Sequence, residues 1–360
     1  MSVKIIGNAL RLEKKLQPSL YAPVLIPLLS VLLALLVGGV FLMLTGREPI
    51  VVYQGMLTGA FGTSYGLSET VVKAIPLILA GLGVSLAFRM QLWNIGAEGQ
   101  LYMGAFAASW LALAFPKAPV WVLLPAMFLA GFIGGGIWGM LPAIPRALFK
   151  VNETITTLMM NYIAILWVNY LVYGPWKDPN GYNFPLSAPF TEAAILPTLG
   201  DSRIHFGLVI GLVAALIIFI MLRRTKWGFE VRVIGESPGA AKYAGINIFK
   251  NILLVMFLSG GLAGIAGMTE VSGVIQRLTP EISNGYGYTA IIIAWLSKLN
   301  PWAIIVVSFL FGGLQVGGYS VQSSGVPAAI VAMLQGAILF FVLGGEILNR
   351  YEIKFGRGRD

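Results

Sequence analysis

Residues 22–45 read APVLIPLLSVLLALLVGGVFLMLT, a stretch that contains no charged side chain. A helix needs about 20 apolar residues to cross the hydrocarbon core of a bilayer, and this stretch is longer than that. It is also too long for the core of a signal peptide, and no small-x-small cleavage site closes it. We therefore expect it to form a retained first span of a membrane protein.

The composition of the whole chain agrees with a membrane location. Of its 360 residues, 57% are hydrophobic and 11% are charged, whereas a soluble domain carries about 25% charged residues. The high apolar content also excludes a disordered chain. The net charge of +9 comes from basic residues that are spread thinly between apolar runs. This pattern is typical of residues that orient a protein in a bilayer, and it predicts no nucleic-acid partner. The chain has no cysteine, which excludes disulfides and thiolate metal sites.

The apolar segments predict an all-α fold, a polytopic transmembrane helix bundle of about ten spans. The eighth segment is short, so we expect it to be tilted, broken or only partly inserted. The predicted spans are residues 22–45, 71–88, 94–115, 119–145, 153–173, 206–222, 252–271, 285–297, 301–320 and 327–345.

The distribution of basic residues predicts the orientation of these spans. With the N-terminus inside and the spans alternating, about three quarters of the 24 Lys and Arg fall on the cytoplasmic side, as the positive-inside rule requires. Both termini are then inside. We expect a cytoplasmic segment 1–21, a transmembrane domain 22–345 and a cytoplasmic tail 346–360, in a multi-pass protein of the inner (cytoplasmic) membrane.

Glycines recur at four-residue spacing within several predicted spans. In lipid such small residues let helix backbones approach closely, where packing drives helix association. Packing surfaces are therefore favoured over gating hinges as their role. These glycines are Gly131, Gly135 and Gly139; Gly260 and Gly264; and Gly313 and Gly317.

One long cytoplasmic loop, residues 223–251, contains signals for a short helix. Ser237 is typical of a helix N-cap, Pro238 of the first helical position, and Gly245 of the left-handed residue after the last turn. A helix of about two turns is marginal by itself in water, so its own bundle or a partner protein must hold it. Two interpretations are open at this point: a helix that docks on a partner and passes movement to the spans, or a capped linker on the membrane surface.

Three motifs carry a resemblance to a known family. Residues 235–246 (GESPGAAKYAGI) resemble the coupling loop of ABC importer permeases of the ribose, branched-chain amino acid and nucleoside type. Residues 94–100 (NIGAEGQ) are similar to the third-span signature of that superfamily. Residues 151–158 (VNETITTL), with Asn161 and Tyr162, resemble the nucleoside branch in particular. The resemblance extends from about residue 70 to residue 345.

This resemblance implies the permease subunit of an ABC importer, with an ABC ATPase as a separate subunit. It also implies a second permease subunit and an extracytoplasmic solute-binding lipoprotein as partners, and no cofactor. The implied solute is a nucleoside, with a sugar or a branched-chain amino acid as the next candidates. The residues that it assigns to coupling with the ATPase are Glu236, Ser237, Pro238, Gly239, Ala240, Ala241, Ala244 and Gly245.

The chain itself shows no pattern for an enzyme. It contains no Gly-Lys dipeptide and therefore no phosphate-binding P-loop, so ATP hydrolysis must belong to another polypeptide. The single histidine, His205, has no partner at metal-ligand spacing, and no metal site is expected.

Polar side chains inside the apolar segments are candidates for a translocation path. Glu98 follows Asn94, a candidate N-cap of the third span, so its charge either complements the helix N-terminus or shapes a break beside the path. Asn161 lies nine residues beyond Asn152, at the start of the fifth span. At about 1.5 Å per residue this places Asn161 roughly 13 Å into the bilayer, where its amide either joins helices or lines the path. Gln315 and Gln335 lie at comparable depths, with the same two interpretations.

An ion-coupled secondary transporter is the alternative from a different class. Such a protein needs no ATPase and would use buried carboxylates such as Glu98 to carry protons. The capped helix in residues 223–251 would then have no role in transport.

Overall fold

Helices make up about three quarters of the structure, a computed structural model that describes residues 3–4, 10–14 and 22–355. Three short strands accompany them: β1 (Val3–Lys4), β2 (Leu10–Lys14) and β3 (Tyr351–Phe355). The α-helices are α1 (Ala22–Leu44), α2 (Pro49–Phe61), α3 (Ser64–Arg89), α4 (Ala97–Ala114), α5 (Val120–Phe149), α6 (Glu153–Tyr173), α7 (Gly207–Arg224), α8 (Lys226–Glu236), α9 (Pro238–Tyr243), α10 (Ile248–Glu270), α11 (Tyr286–Leu296), α12 (Pro301–Gln322) and α13 (Ala329–Arg350).

Each of the ten predicted spans coincides with one of these helices, so the helical membrane bundle is confirmed. By length and composition alone, seven helices among the described residues are long and apolar enough to cross a bilayer. They are α1, α3, α5, α6, α7, α12 and α10 with the π-helical turn that follows it. Of the other three predicted spans, α11 and the apolar part of α13 are short. The first turn of α4 carries polar side chains.

The chain divides into two compact units, of which the first consists of residues 1–56 and 318–360. In this unit α1 packs along α13. The hydroxyl of Tyr53 donates a 2.6 Å hydrogen bond to the carbonyl oxygen of Leu35, and Arg47 donates a 2.9 Å bond to that of Ser324.

A small antiparallel sheet, which the sequence did not predict, joins the two ends of the chain. Its strand order is β1-β2-β3, with Lys14 opposite Tyr351 in the β2–β3 pair. The predicted cytoplasmic segment 1–21 and tail 346–360 fall only partly within the described residues. Their remaining positions, 1–2, 5–9, 15–21 and 356–360, lie outside them.

The second unit, residues 57–317, has its core where α4, α5 and α10 pack together. The backbones meet at glycines: a Cβ on Gly264 would overlap with the carbonyl oxygen of Gly131, and one on Gly260 with that of Gly135. Gly104 of α4 lies against Gly264 in the same way. The interpretation of these glycines as packing surfaces is therefore confirmed for α5 and α10.

Burial separates the central helices of this unit from its outer ones. α3 and α10 are buried along most of their length, as expected for helices that are apolar all round. In contrast, α5, α6 and α7 expose many large apolar side chains, among them Ile133, Leu166 and Ile217. Such surfaces suit contact with lipid.

Two segments of the second unit interrupt the helical pattern. Irregular backbone at 90–96 precedes α4, and a second irregular segment at 276–285 precedes α11. The loop 174–205 packs on the latter region: the Ser187 amide donates to the Leu278 carbonyl (3.0 Å), and the Phe190 amide to that of Gln276 (2.9 Å). The short eighth predicted span is present as the 11-residue helix α11, which this irregular segment precedes.

Candidate functional site

The N-termini of α4 and α11 meet, and Glu98 lies between them. Its carboxylate accepts a 2.7 Å hydrogen bond from the backbone amide of Gly287, in the first turn of α11. Only glycine fits at that position, because a Cβ would overlap with the backbone of Glu98. Glu98 is 3% exposed. Its charge therefore complements the N-terminus of a second helix as well as that of its own.

Asn161 of α6 ties the interrupted segment before α4 to the bundle. Its Oδ1 accepts a 2.8 Å bond from the amide of Gly99, and its Nδ2 donates to the carbonyl of Ile95 (2.9 Å) and the hydroxyl of Tyr288 (3.3 Å). The side chain is fully buried. Two of the three bonds satisfy backbone groups that the helix break leaves without intrahelical partners.

The prediction that Asn94 is the N-cap of α4 is wrong, because the helix begins three residues later and Gly96 is the cap. The Oδ1 of Asn94 instead accepts from the amide of Gly96 and from Nε2 of Gln100, both at 3.0 Å. Its Nδ2 donates to Oγ of Ser259 on α10 at 2.9 Å. The amide therefore closes the turn and joins it to a central helix.

The polar layer formed by Asn94, Glu98 and Asn161 does not include the two glutamines. Gln315 lies on α12 and is 5% exposed, and its Oε1 is buried with no hydrogen-bond partner among the described residues. Gln335 lies half-buried on α13, in the other unit, where it has contacts of its own. The structure thus brings together three of the five predicted residues.

A second buried polar cluster escaped the sequence analysis. Nζ of Lys73, on α3, donates to the hydroxyl of Tyr286 (2.9 Å) and lies 3.4 Å from Oε1 of Glu270. Glu270 ends α10 and is 3% exposed. The available signal was a charged residue inside each of two apolar helices, where such residues are commonly paired. The cluster joins α3, α10 and α11.

The helix predicted within the loop 223–251 is present as α9. The hydroxyl of Ser237 accepts from the amide of Ala240 (3.3 Å), Pro238 occupies the first turn, and Gly245 has a φ of +73°. Ala241 is fully buried. The other seven residues assigned to coupling by resemblance are exposed: Glu236, Ser237, Pro238, Gly239, Ala240, Ala244 and Gly245.

The helix α8, which the sequence analysis missed, positions α9. Its buried face packs so closely that a Cβ on Gly235 would overlap with the carbonyl oxygen of Arg89 at the end of α3. A Cβ on Gly228 would overlap in the same way with that of Met221 in α7. Residues Val231 and Ile234 lie on the same buried face. This one-turn spacing was the available signal for an amphipathic helix.

His205 is a buried structural residue just before α7. Its Nδ1 accepts a 3.2 Å bond from the amide of Gly207, and burial lowers the pKa of the imidazole to about 4. No cluster of three potential metal ligands occurs among the described residues.

Comparisons with known proteins give a consistent result. The family model described as the permease component of branched-chain amino acid transport systems matches residues 66–343. The chain is 38% identical to the glucose ABC transporter permease protein TsgB13 of Haloferax volcanii, over 93% of this chain and 91% of that protein. It is 34% identical to the guanosine ABC transporter permease protein NupP of Bacillus subtilis, over 93% and 96%. It is 30% identical to the nucleoside ABC transporter permease protein NupB of Lactococcus lactis, over 89% and 90%.

Proposed function

Because the chain belongs to the family of permease components of branched-chain amino acid transport systems, we propose that it is the membrane-spanning subunit of an ABC importer for nucleosides. It is a multi-pass membrane protein, and membership of a family of ABC permeases implies an ATPase subunit and a second permease. We place it in the inner membrane, with a solute-binding lipoprotein as the outer partner.

The exposed short helix α9 is the observation that carries this proposal. Seven of the residues assigned to coupling are exposed, three of them in α9 and four directly beside it, and the buried Ala241 and α8 hold this surface in place. Tyr243, at its end, is 98% exposed. A large aromatic side chain so fully exposed is typical of a surface that a partner protein covers. We assign this surface to the ATPase, whose closure would move α8 and α9 together.

Charged residues that are predicted to lie on the same side of the membrane are close together in the structure. This supports a topology of about ten spans with both termini inside. Arg89, Arg223 and Lys298, each predicted to be cytoplasmic, line one pocket. Arg203 and Glu69, both on the predicted outer side, form a 2.6 Å ion pair. In this topology residues 1–21 and 346–360 are cytoplasmic and the loop 223–251 faces the ATPase. The helix α2 does not alter the alternation, since its 13 residues are too few to cross a bilayer.

The translocation path is assigned to the region where the N-termini of α4 and α11 meet, beside the irregular segment 90–96. Asn94, Glu98 and Asn161 would hold the break in shape, since each bonds to backbone there. Gln315 is the candidate for contact with solute, because the unpartnered Oε1 can accept a hydrogen bond from a solute hydroxyl. Gln335 remains a candidate on α13.

Two relatives favour a nucleoside as solute, and one favours a sugar. The guanosine and nucleoside permeases are 34% and 30% identical to the chain, and the glucose permease is 38% identical. The motif at 151–158 favours the nucleoside. Both kinds of solute carry sugar hydroxyl groups, so an amide such as that of Gln315 suits either of them.

Uptake by the reconstituted importer tests the solute and the energy source together. We expect ATP-dependent accumulation of labelled guanosine in vesicles that contain the permease pair, the ATPase and the binding protein. An excess of unlabelled inosine should compete, whereas glucose should not. Accumulation of glucose instead would establish the sugar alternative. Uptake by the purified chain alone under a proton gradient would contradict the ABC assignment.

The docking surface is tested by Ala240→Glu, with Ala240→Ser as the matched control. An unpaired carboxylate buried in an apolar groove costs several kcal/mol, so ATPase association should weaken by about 100-fold or more. Ala241→Glu would be less informative, because Ala241 is buried in the chain itself. Both variants should insert into the membrane normally. Equal co-purification of the ATPase with wild type and Ala240→Glu would remove α9 from the docking surface.

A further inference from the structure

A cavity of about 270 Å³ lies at the end of the bundle from which the loop 223–251 emerges. It is lined by the ends of α3 and α7, by α8, and by the turn between α11 and α12. Four of its lining residues are cationic and none is acidic. We call this cavity the basic pocket; its charged residues are Arg89, Arg223, Arg232 and Lys298.

These four cations have no carboxylate partner within the described residues. The three ion pairs found there are Lys73–Glu270, Arg146–Glu153 and Arg203–Glu69. Two of the four donate to carbonyl oxygens instead: Arg89 to Leu299 at 2.7 Å, and Arg232 to Leu222. The Nε–H of Arg89 is buried and has no hydrogen-bond partner in the described part of the chain.

Helix dipoles offset only part of this charge. The C-terminal ends of α3, α7 and α11 contribute about half a negative charge each, and the N-terminus of α12 contributes about half a positive one. About three positive charges are then uncompensated in a small space. Arg223 and Lys298 are exposed, whereas Arg89 and Arg232 are partly buried, so water screens only part of the repulsion among the four cations and a bound anion would relieve the rest.

The rim of the basic pocket is aromatic and lies beside apolar surface. The guanidinium carbon of Arg223 lies 4.8 Å from the ring centre of Phe219, and that ring lies 5.7 Å from the ring of Trp302. Trp302 is 44% exposed, and Val306, one turn further along α12, is 60% exposed. Tryptophan beside basic residues is characteristic of the level of lipid headgroups.

We propose that the basic pocket binds a phosphate group. Arginine matches phosphate oxygens with paired N–H donors, and the unpartnered Nε–H of Arg89 provides one such donor inside the cavity. Basic pockets between spans on the cytoplasmic side are known binding sites for anionic lipid headgroups. The same N–H donors would also bind a free phosphate from solution. The experiment distinguishes a lipid headgroup from a free phosphate.

The test compares ligand binding to the full-length permease, purified with its co-purifying subunits, by native mass spectrometry and thermal unfolding. The probes are dioleoyl phosphatidylglycerol, dioleoyl phosphatidylcholine, and sodium phosphate against sodium chloride at equal ionic strength. We expect phosphatidylglycerol to bind and phosphatidylcholine not to. The double variant Arg223→Gln/Lys298→Gln should weaken binding about 25-fold, at about fivefold for each basic residue removed.

Arg224→Gln is the matched control, since Arg224 is exposed and does not line the pocket, and it should bind as wild type does. Arg223→Lys/Lys298→Arg keeps both charges and should also bind. Where the double variant fails to fold, Arg223→Gln alone should still weaken binding about fivefold. Stabilisation by sodium phosphate without phosphatidylglycerol binding would assign the pocket to a soluble phosphate. Binding of neither phosphatidylglycerol nor phosphate, or equal weakening of binding by Arg224→Gln, would overturn the proposal.

Discussion

Asn161 shows what a single polar side chain does inside this bundle. Its amide bonds to the Gly99 amide, the Ile95 carbonyl and the Tyr288 hydroxyl, so α6 is joined to the broken segment and to α11. In hydrocarbon, backbone groups that a helix break exposes have no water to bond to. The side chain therefore supplies the hydrogen bonds that a further turn of helix would have supplied.

We expect Asn161→Ala to destabilise the protein by about 2–6 kcal/mol. Two buried backbone groups would lose their partners, at about 1–3 kcal/mol each, and the polar layer would loosen. Thermal unfolding in detergent, with solute affinity measured on the same samples, is the check. Lower stability with unchanged affinity would show that Asn161 joins helices, as its contacts indicate. An altered affinity with unchanged stability would place it on the path instead.

Tyr288→Phe is the control for this substitution. It removes only the hydroxyl that accepts from Asn161 and leaves both backbone bonds in place. The loss should be about 1 kcal/mol. A loss as large as that of Asn161→Ala would show that the Tyr288 hydroxyl, rather than the backbone bonds, dominates.

At the residue scale the sequence identified the buried polar side chains but not their partners. Glu98 was expected either to complement the N-terminus of its own helix or to shape a break beside the path, and its carboxylate also accepts a bond from α11, which lies far along the chain. No local pattern contains such a pairing, because it depends on which helices the fold brings together. The Lys73–Glu270 pair escaped for the same reason.

At the scale of elements, the contact between α5 and α10 depends on the absence of side chains. Gly131, Gly135, Gly260 and Gly264 let the two backbones touch. Association in lipid gains little from the hydrophobic effect, so close packing over a long contact has to replace it.

We predict that Gly264→Ala destabilises the protein by about 1–3 kcal/mol, because the added methyl group would overlap with the backbone of Gly131. Gly336→Ala is the control. Position 336 is also helical, but nothing lies within 4 Å of its added Cβ, so this change should be neutral or stabilise by up to about 1 kcal/mol. Thermal unfolding of both variants is the measurement. A Gly264→Ala protein as stable as wild type would contradict the packing role.

Sequence reasoning found the apolar helices and the caps of α9, since length and local cap chemistry are written in neighbouring residues. It missed α2 and α8, which are too short to count as spans. It also placed the start of α4 three residues early, because the polar turn at Asn94 bonds to Gln100 and Ser259 rather than capping a helix.

For the whole molecule, the distribution of charge predicts the orientation in the membrane. Cysteine labelling can test this prediction, because the chain has no cysteine of its own that would react. Two tyrosines are almost fully exposed: Tyr182 in the loop 174–205 (91%) and Tyr243 at the end of α9 (98%). We expect Tyr182→Cys to react with a membrane-impermeant maleimide in intact spheroplasts. Tyr243→Cys, in a chain expressed without the ATPase subunit that would cover it, should react only after the membrane is opened.

The reverse labelling pattern would invert the topology and remove α9 from the cytoplasm. Labelling of both sites in intact cells would show that the number of spans between them is not the one proposed. The unmodified chain serves as the blank for each measurement.

The glycine contacts of α8 have a mechanical consequence. Gly228 and Gly235 lie so close to the backbones of α7 and α3 that sliding by one residue, about 1.5 Å, would bring a bulkier side chain into a space that holds none. The contact therefore resists sliding of α8 along α3 and α7. If the ATPase binds at α9, as we propose, a movement of α9 would tilt α8 together with the ends of α3 and α7, and bending would occur outside these contacts.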